Sequence, residues 1–230
     1  MARPRETQEA RSHRSRSQSL EAALELFSHR GYGATSIRDI ADAAAVSTGN
    51  VYHHFKDKDA IFQELLNQYW ALIESPDFVF NRALVSGPFP DNLEEIGEAA
   101  RNMVTEYRRH VALIYVDVIE FEGSHIRKFY SEMAQRFGRF AAQNRDRLMA
   151  DTRLRPGIEA GDALMLVTRF FMNYFAVEIL FGVPDHFGKQ SDTAIKQICD
   201  ILRFGLLGDA ERSAHDHALV ADRGAAGPGA

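Results

Sequence analysis

Apolar residues three and four positions apart recur along nearly the whole chain, whereas the alternation of a half-buried strand is nearly absent. That period restricts the chain to helices whose apolar stripes must be buried against one another. One stripe runs through Leu20, Ala23, Leu24 and Phe27 and stops at Gly31 and Gly33. Ser36-Ile37-Arg38-Asp39 then has the form of a capped helix start, with Ile37, Ile40, Ala41 and Ala44 on one face. Ala45-Val46-Ser47 breaks the pattern, and Ser47 is placed to cap a short helix carrying Val51 and Phe55. Asp57 is placed to cap the next helix, with Ile61, Phe62, Leu65, Leu66 and Tyr69 as its stripe and Pro76 as its end. Residues 84–92 (LVSGPFPDN) read as a loop, and further helices are expected near 92–109, 111–122, 125–150, 160–182 and 191–207.

A net charge of −5 argues against a chain that coats nucleic acid along its whole length. Residues 1–58, however, carry nine Lys and Arg against seven Asp and Glu, and residues 59–230 carry eighteen against twenty-five. Such asymmetry is expected when only one end meets a polyanion. A single cysteine, Cys199, rules out an internal disulfide and suits a reducing compartment. The Arg/Ser/Gln-rich start has no apolar core of a secretory signal, so a cytoplasmic location is expected. Ala163 to Phe181 is apolar on nearly every face but contains Arg169, Asn173 and Glu178. An arginine at the bilayer midplane costs about 2.5–3.5 kcal/mol. With no second span and no basic flank, the expectation is a bundle helix buried on two sides and no membrane.

Residues 36–55 carry the functional signal. Two short helices separated by Ala45-Val46-Ser47 form a helix-turn-helix, in which the second helix lies in the DNA major groove. That second helix is too short to stand alone and must be held by Val51 and Phe55. Thr48, Gly49, Asn50, Tyr52, His53 and His54 are then left outward or at its ends, suited to base edges, thymine methyls and phosphates.

The run from Ala22 to Leu66, AALELFSHRGYGATSIRDIADAAAVSTGNVYHHFKDKDAIFQELL, resembles the N-terminal DNA-binding domain of TetR/AcrR-type transcriptional regulators. Gly31-Tyr32, Thr35, Ile40-Ala41, Val46-Ser47, Gly49, Tyr52, His54-Phe55 and Lys58 stand at the family's spacing. The resemblance implies Thr35 and Ser36 against a phosphate, Arg38 near the groove edge, and Thr48, Gly49 and Asn50 facing bases. It further implies Tyr52 and His53 on backbone and base edges and Lys58 on a phosphate. It also implies a homodimer through the helices near 160–182 and 191–207, double-stranded operator DNA as partner, and release by a small molecule. Two departures stand out. Ala45 occupies a turn position where the family usually has glycine, at a cost of about 1 kcal/mol if the site is left-handed. The stretch before the first helix carries Arg3, Arg5, Arg11, Arg14 and Arg16, and either reaches into a minor groove or stays solvated.

The expected fold class is therefore all-α: an N-terminal three-helix helix-turn-helix domain followed by a C-terminal helical ligand-binding and dimerisation bundle. The expected divisions are a flexible basic arm over 1–16, the helix-turn-helix over 17–60, the effector-binding bundle over 61–208 and a flexible tail over 209–230. Tyr115, Phe137, Phe140, Phe170 and Tyr174, with the polar Arg169, Asn173 and Glu178, suit a mostly apolar effector site. Glu120 sits in an acidic group with Asp117, Glu122 and His125, which reads either as a ligand anchor or as a charged helix end. His53-His54 point about 100° apart and make a poor chelate, and neither metal nor cofactor is expected. No nucleophile elbow, phosphate loop or dinucleotide fingerprint is present, so the chain is not expected to be an enzyme. The expected function is a repressor released from a palindromic operator by a small, largely apolar effector. The alternative is a small-molecule-binding helical protein or enzyme whose helix-turn-helix is only structural.

Overall fold

Helix capping in this chain follows the short-range chemistry of its sequence. In the computed structural model, which describes residues 7–149 and 153–206, Ser36 caps α2 (Ile37–Ala43) in a reciprocal capping box with Asp39. The Ser47 hydroxyl caps α3 (Thr48–His54), and the Asp57 carboxylate caps α4 (Lys58–Glu74). Among the described residues there is no strand, and the chain divides into two compact units.

The first unit comprises residues 1–75 and 107–130. It joins α1 (Gln8–Arg30), α2, α3 and α4 to α7 (Arg108–Phe121) and most of the short α8 (Arg127–Ser131). Its core is Leu20, Leu24, Phe27, Ile40, Val51, Phe55, Ile61, Phe62 and Leu66, completed by Leu113 and Ile126. This differs from the division expected at residue 60. Leu65 and Leu66 of α4 and Leu113 of α7 are sealed in the same core as the helix-turn-helix, so both helices belong to it. The arm expected over 1–16 is also shorter. Thr7 caps α1, and residues 8–16 are helical; residues 1–6, with Arg3 and Arg5, lie outside the described residues.

The second unit comprises residues 76–106 and 131 onward. It holds α5 (Val79–Ala83), α6 (Leu93–Glu106), α9 (Met133–Gln143), α10 (Arg145–Leu148), α11 (Ala160–Phe175) and α12 (Ser191–Leu206). The single helix expected over 125–150 is broken at Glu132 and Asn144. Asn144 leaves helical geometry, and its backbone and side-chain amides both donate to the Phe140 carbonyl, at 3.1 and 2.9 Å. The 84–92 loop is present and is partly buried, with Ser86, Pro88 and Asp91 exposed. Leu84 and Phe89 are buried, and the Asn92 amide donates to the carbonyls of Ala83 and Leu84. The tail over 209–230 lies outside the described residues.

Ala160–Leu180 is long and apolar enough to cross a membrane by length and composition. It packs nonetheless against α6 and α9, burying Leu164, Val167, Phe171, Tyr174 and Phe175, and its last turn, Ala176–Leu180, is a π-helix. Where α11 crosses α9, a Cβ added to Gly161 would stand 2.9 Å from the Gly138 Cα, so the backbones meet with no room for a side chain. Gly161→Ala is therefore expected to destabilise the protein by about 1–3 kcal/mol, because helix backbone cannot swing aside as a side chain can. Urea unfolding of the variant checks this: a lower midpoint with an unchanged slope is the expected result.

Candidate nucleic-acid interface

The α3 helix is anchored on one side only. Val51 is fully buried, Phe55 closes the C-terminus at 5% exposure, and the Phe55 amide donates to the Val51 carbonyl. On the opposite side Thr48, Gly49, Tyr52 and His53 are exposed, Tyr52 at 57%. A Cβ added to Gly49 would meet only the Ser47 hydroxyl, at 3.9 Å, so packing does not demand glycine there. Glycine inside a seven-residue helix costs about 0.5–1 kcal/mol relative to alanine, a cost that close approach of a ligand backbone would explain. Asn50 is half-buried, and its amide oxygen is buried with no hydrogen-bond partner.

Three of the expected contact residues are turned inward. Thr35 is buried, and its hydroxyl donates to the Gly31 carbonyl at 2.9 Å. The Lys58 ammonium donates to the carbonyls of Tyr32 and Thr35, each at 2.7 Å, and lies 3.9 Å from the centre of the Tyr32 ring. His54 pairs through Nε2 with the Ser15 hydroxyl of α1, 2.9 Å away. These three hold the motif together, whereas Ser36 and Arg38 at the start of α2 remain exposed.

The α1–α2 turn is gripped from its other side by Glu120 of α7. Its two carboxylate oxygens accept from the Tyr32 amide at 2.8 Å and the Gly33 amide at 2.5 Å. A Cβ at Gly31, where φ is +86°, would stand 2.6 Å from the nearer oxygen. Glu120 is thus a latch on the turn, not one of the effector contacts expected of it. Beside it, Asp117 is fully buried; it meets His125 Nδ1 at 2.5 Å and accepts from the Ile126 amide at 3.2 Å. The acidic group at this helix end therefore ties the α7–α8 turn together. Among the described residues no group of three His, Cys, Asp or Glu is placed to hold a metal.

The remaining effector candidates fall in both units. Tyr115 is half-buried on α7 in the first unit. In the second unit Phe137, Phe140 and Phe170 are half-buried and Tyr174 is buried, with its hydroxyl lacking a hydrogen-bond partner. Arg169 and Asn173 share the exposed stripe of α11 with Asp162 and Leu166, so they leave the interior set. Glu178 accepts from the Ser191 hydroxyl at 2.6 Å.

Residues 20–65 match the profile of bacterial regulatory proteins of the tetR family. Over that stretch the chain is similar to the DNA-binding domain of TetR-family regulators. The AcrR transcriptional regulator of Shigella flexneri is 35% identical over 123 residues, covering 51% of this chain and 53% of that protein. The KstR2 transcriptional repressor of Rhodococcus jostii is 44% identical over 54 residues, covering 24% and 26%. These matches span between about a quarter and a half of the curated relatives' length. The crystal structure of NalD, the secondary repressor of the MexAB-OprM multidrug efflux pump in Pseudomonas aeruginosa, superposes with a TM-score of 0.61. That likeness is at 26% identity and covers 86% of this chain and 98% of NalD.

Within this head, Ala45 has a left-handed φ of 55° between the two helices of the motif. The cost foreseen for alanine there is therefore real. Ala45→Gly is expected to stabilise the head by about 1 kcal/mol, a rise in Tm of roughly 2–4 °C, measured by thermal melting.

Acidification acts in the other direction. Burial, then the neighbouring charges of His53 and Arg16, lowers the His54 pKa from its ordinary 6.5. His110 is lowered by burial and then by Arg109, with Glu21 opposing. Both rings fold in the neutral form, so protonation favours the unfolded chain. Their contribution is complete above about pH 6.5 and is lost as pH falls below it. The melting temperature is expected to drop between about pH 7 and 5.5, and His110→Gln to flatten that dependence.

Proposed function

We propose that the chain is a sequence-specific DNA-binding transcriptional repressor whose operator affinity is lowered by a small, largely apolar effector. The observation that carries this reading is the one-sided anchoring of α3. Val51 and Phe55 are sealed in the core, while Gly49, Tyr52 and His53 stand exposed on a short, rigidly capped helix. Its likeness to proteins named as transcriptional repressors supports the same reading. Base-edge contact falls to Thr48, Gly49, Tyr52 and His53, and backbone contact to Ser36 and Arg38. Thr35, His54 and Lys58 act by fixing the angle at which α3 is presented.

Homodimerisation through α11 and α12 is supported by large apolar side chains left exposed on and beside them: Leu166, Phe181, Val183 and Ile201. An effector site is supported by the aromatic lining of the second unit, where Tyr174 stacks with Phe170 and meets the rings of His186 and Phe187. The regulatory step is linkage: an effector that prefers the conformation unable to fit the operator weakens DNA binding by its differential affinity.

The test uses the duplex that the wild-type protein enriches from a random pool. Gly49→Ala is expected to raise the melting temperature slightly, through the better helix propensity of alanine, while lowering affinity for that duplex at least tenfold. Tyr52→Ala, at an exposed position, is expected to leave stability unchanged and to lower affinity by a similar factor. If both variants bind the duplex as tightly as the wild type, α3 is not the reading element.

A further inference from the structure

The first three turns of α1 are almost wholly polar. From Gln8 to Gln18 the segment contains no apolar residue larger than Ala10, and its first buried residue is Ser19. A helix that is polar on every side gains almost nothing from tertiary burial. It also carries Arg11, Arg14 and Arg16 against a single acid, Glu9, and Arg11 stands in the first turn, where the helix dipole opposes a cation.

Two contacts fix where this segment lies. Ser15 meets His54 at the end of α3. Arg16 donates to Glu64 at 2.6 Å and stands 5.2 Å from the centre of the Phe55 ring, which closes α3. Arg11 precedes Ser15 by one turn and so lies on the same side of α1, the side that adjoins α3. Arg14 is on the neighbouring exposed side. The arginines are thus set along a helix that flanks the C-terminal end of the element proposed to enter the major groove.

We propose that the N-terminal turns of α1 form a second DNA-binding element, in which Arg11 and Arg14 contact duplex phosphates beside the groove occupied by α3. This rests on the DNA-binding reading above. Phosphate contacts carry no sequence information, so the element sets affinity and register while α3 sets the sequence read. Arg16 is the positioning residue: its contacts with Glu64 and Phe55 hold the extension against the end of α3.

The experiment compares Arg11→Gln/Arg14→Gln with the wild type on the same selected duplex at several salt concentrations. Each phosphate contact contributes about 0.9 to the slope of log affinity against log salt. The double variant is expected to flatten the slope by about 2 per bound protomer and to bind about tenfold or more weakly at physiological salt. Its base preference across single-site duplex variants should be unchanged. Arg11→Lys/Arg14→Lys keeps the charge and is expected to keep most of the slope. An unchanged slope in the Gln variant overturns the proposal. So does an equal loss in the Gln and Lys variants together with reduced helical circular dichroism, which would make the arginines structural. If the wild type binds no duplex, the DNA-binding reading itself fails, a result distinct from wild-type binding that is indifferent to Arg11 and Arg14.

Discussion

The α1–α2 turn is held between a cation and an anion from two helices distant in sequence. Lys58 of α4 takes its carbonyls and Glu120 of α7 takes its amides. Hydrogen bonds with one charged partner are among the stronger polar contacts, and here they converge on a few successive residues whose backbone has no helical partners of its own. Everything that presents α3 follows from that turn. It fixes where α2 begins, α2 and the left-handed Ala45 fix where α3 begins, and Val51 and Phe55 then lock the roll of α3 about its axis. The two glycines flanking Tyr32 serve this arrangement more than the helix end. At Gly31 a side chain would collide with the Glu120 carboxylate, and at Gly33 it would crowd it.

What was legible in the sequence was local. The caps at Ser36, Ser47 and Asp57 were readable because a capping side chain and its amide lie within three residues of each other. The apolar stripe from Leu20 to Phe27 and the outward set on α3 followed from helical period alone. Long-range pairings were not readable. Lys58 looked like a surface cation beside a DNA-binding helix, and only the fold brings it to carbonyls 23 and 26 residues away. Glu120 reads from the sequence as a ligand anchor or a charged helix end, and its partners lie 87 and 88 residues earlier.

The second unit was less legible for a different reason. Its aromatic residues recur at spacings that fit a ligand cavity and a packed core equally well. Arg169 and Asn173 share a helix with those aromatics, yet they sit on its exposed side.

The head is not a contiguous stretch of chain. Residues 76–106 interrupt it, and Leu113, Glu120 and Ile126 are needed to close its core and hold its first turn. During synthesis, α1 to α4 must therefore emerge and wait. At roughly 5–20 residues per second, the ribosome takes about 3–11 s to deliver the further 55 or so residues that complete the unit. Over that interval Tyr32 and Phe62 lack the Phe121 ring, and Trp70 lacks the Phe129 ring that stacks on it. The helix-turn-helix unit is complete only after residues 76–106 of the other unit have already been made.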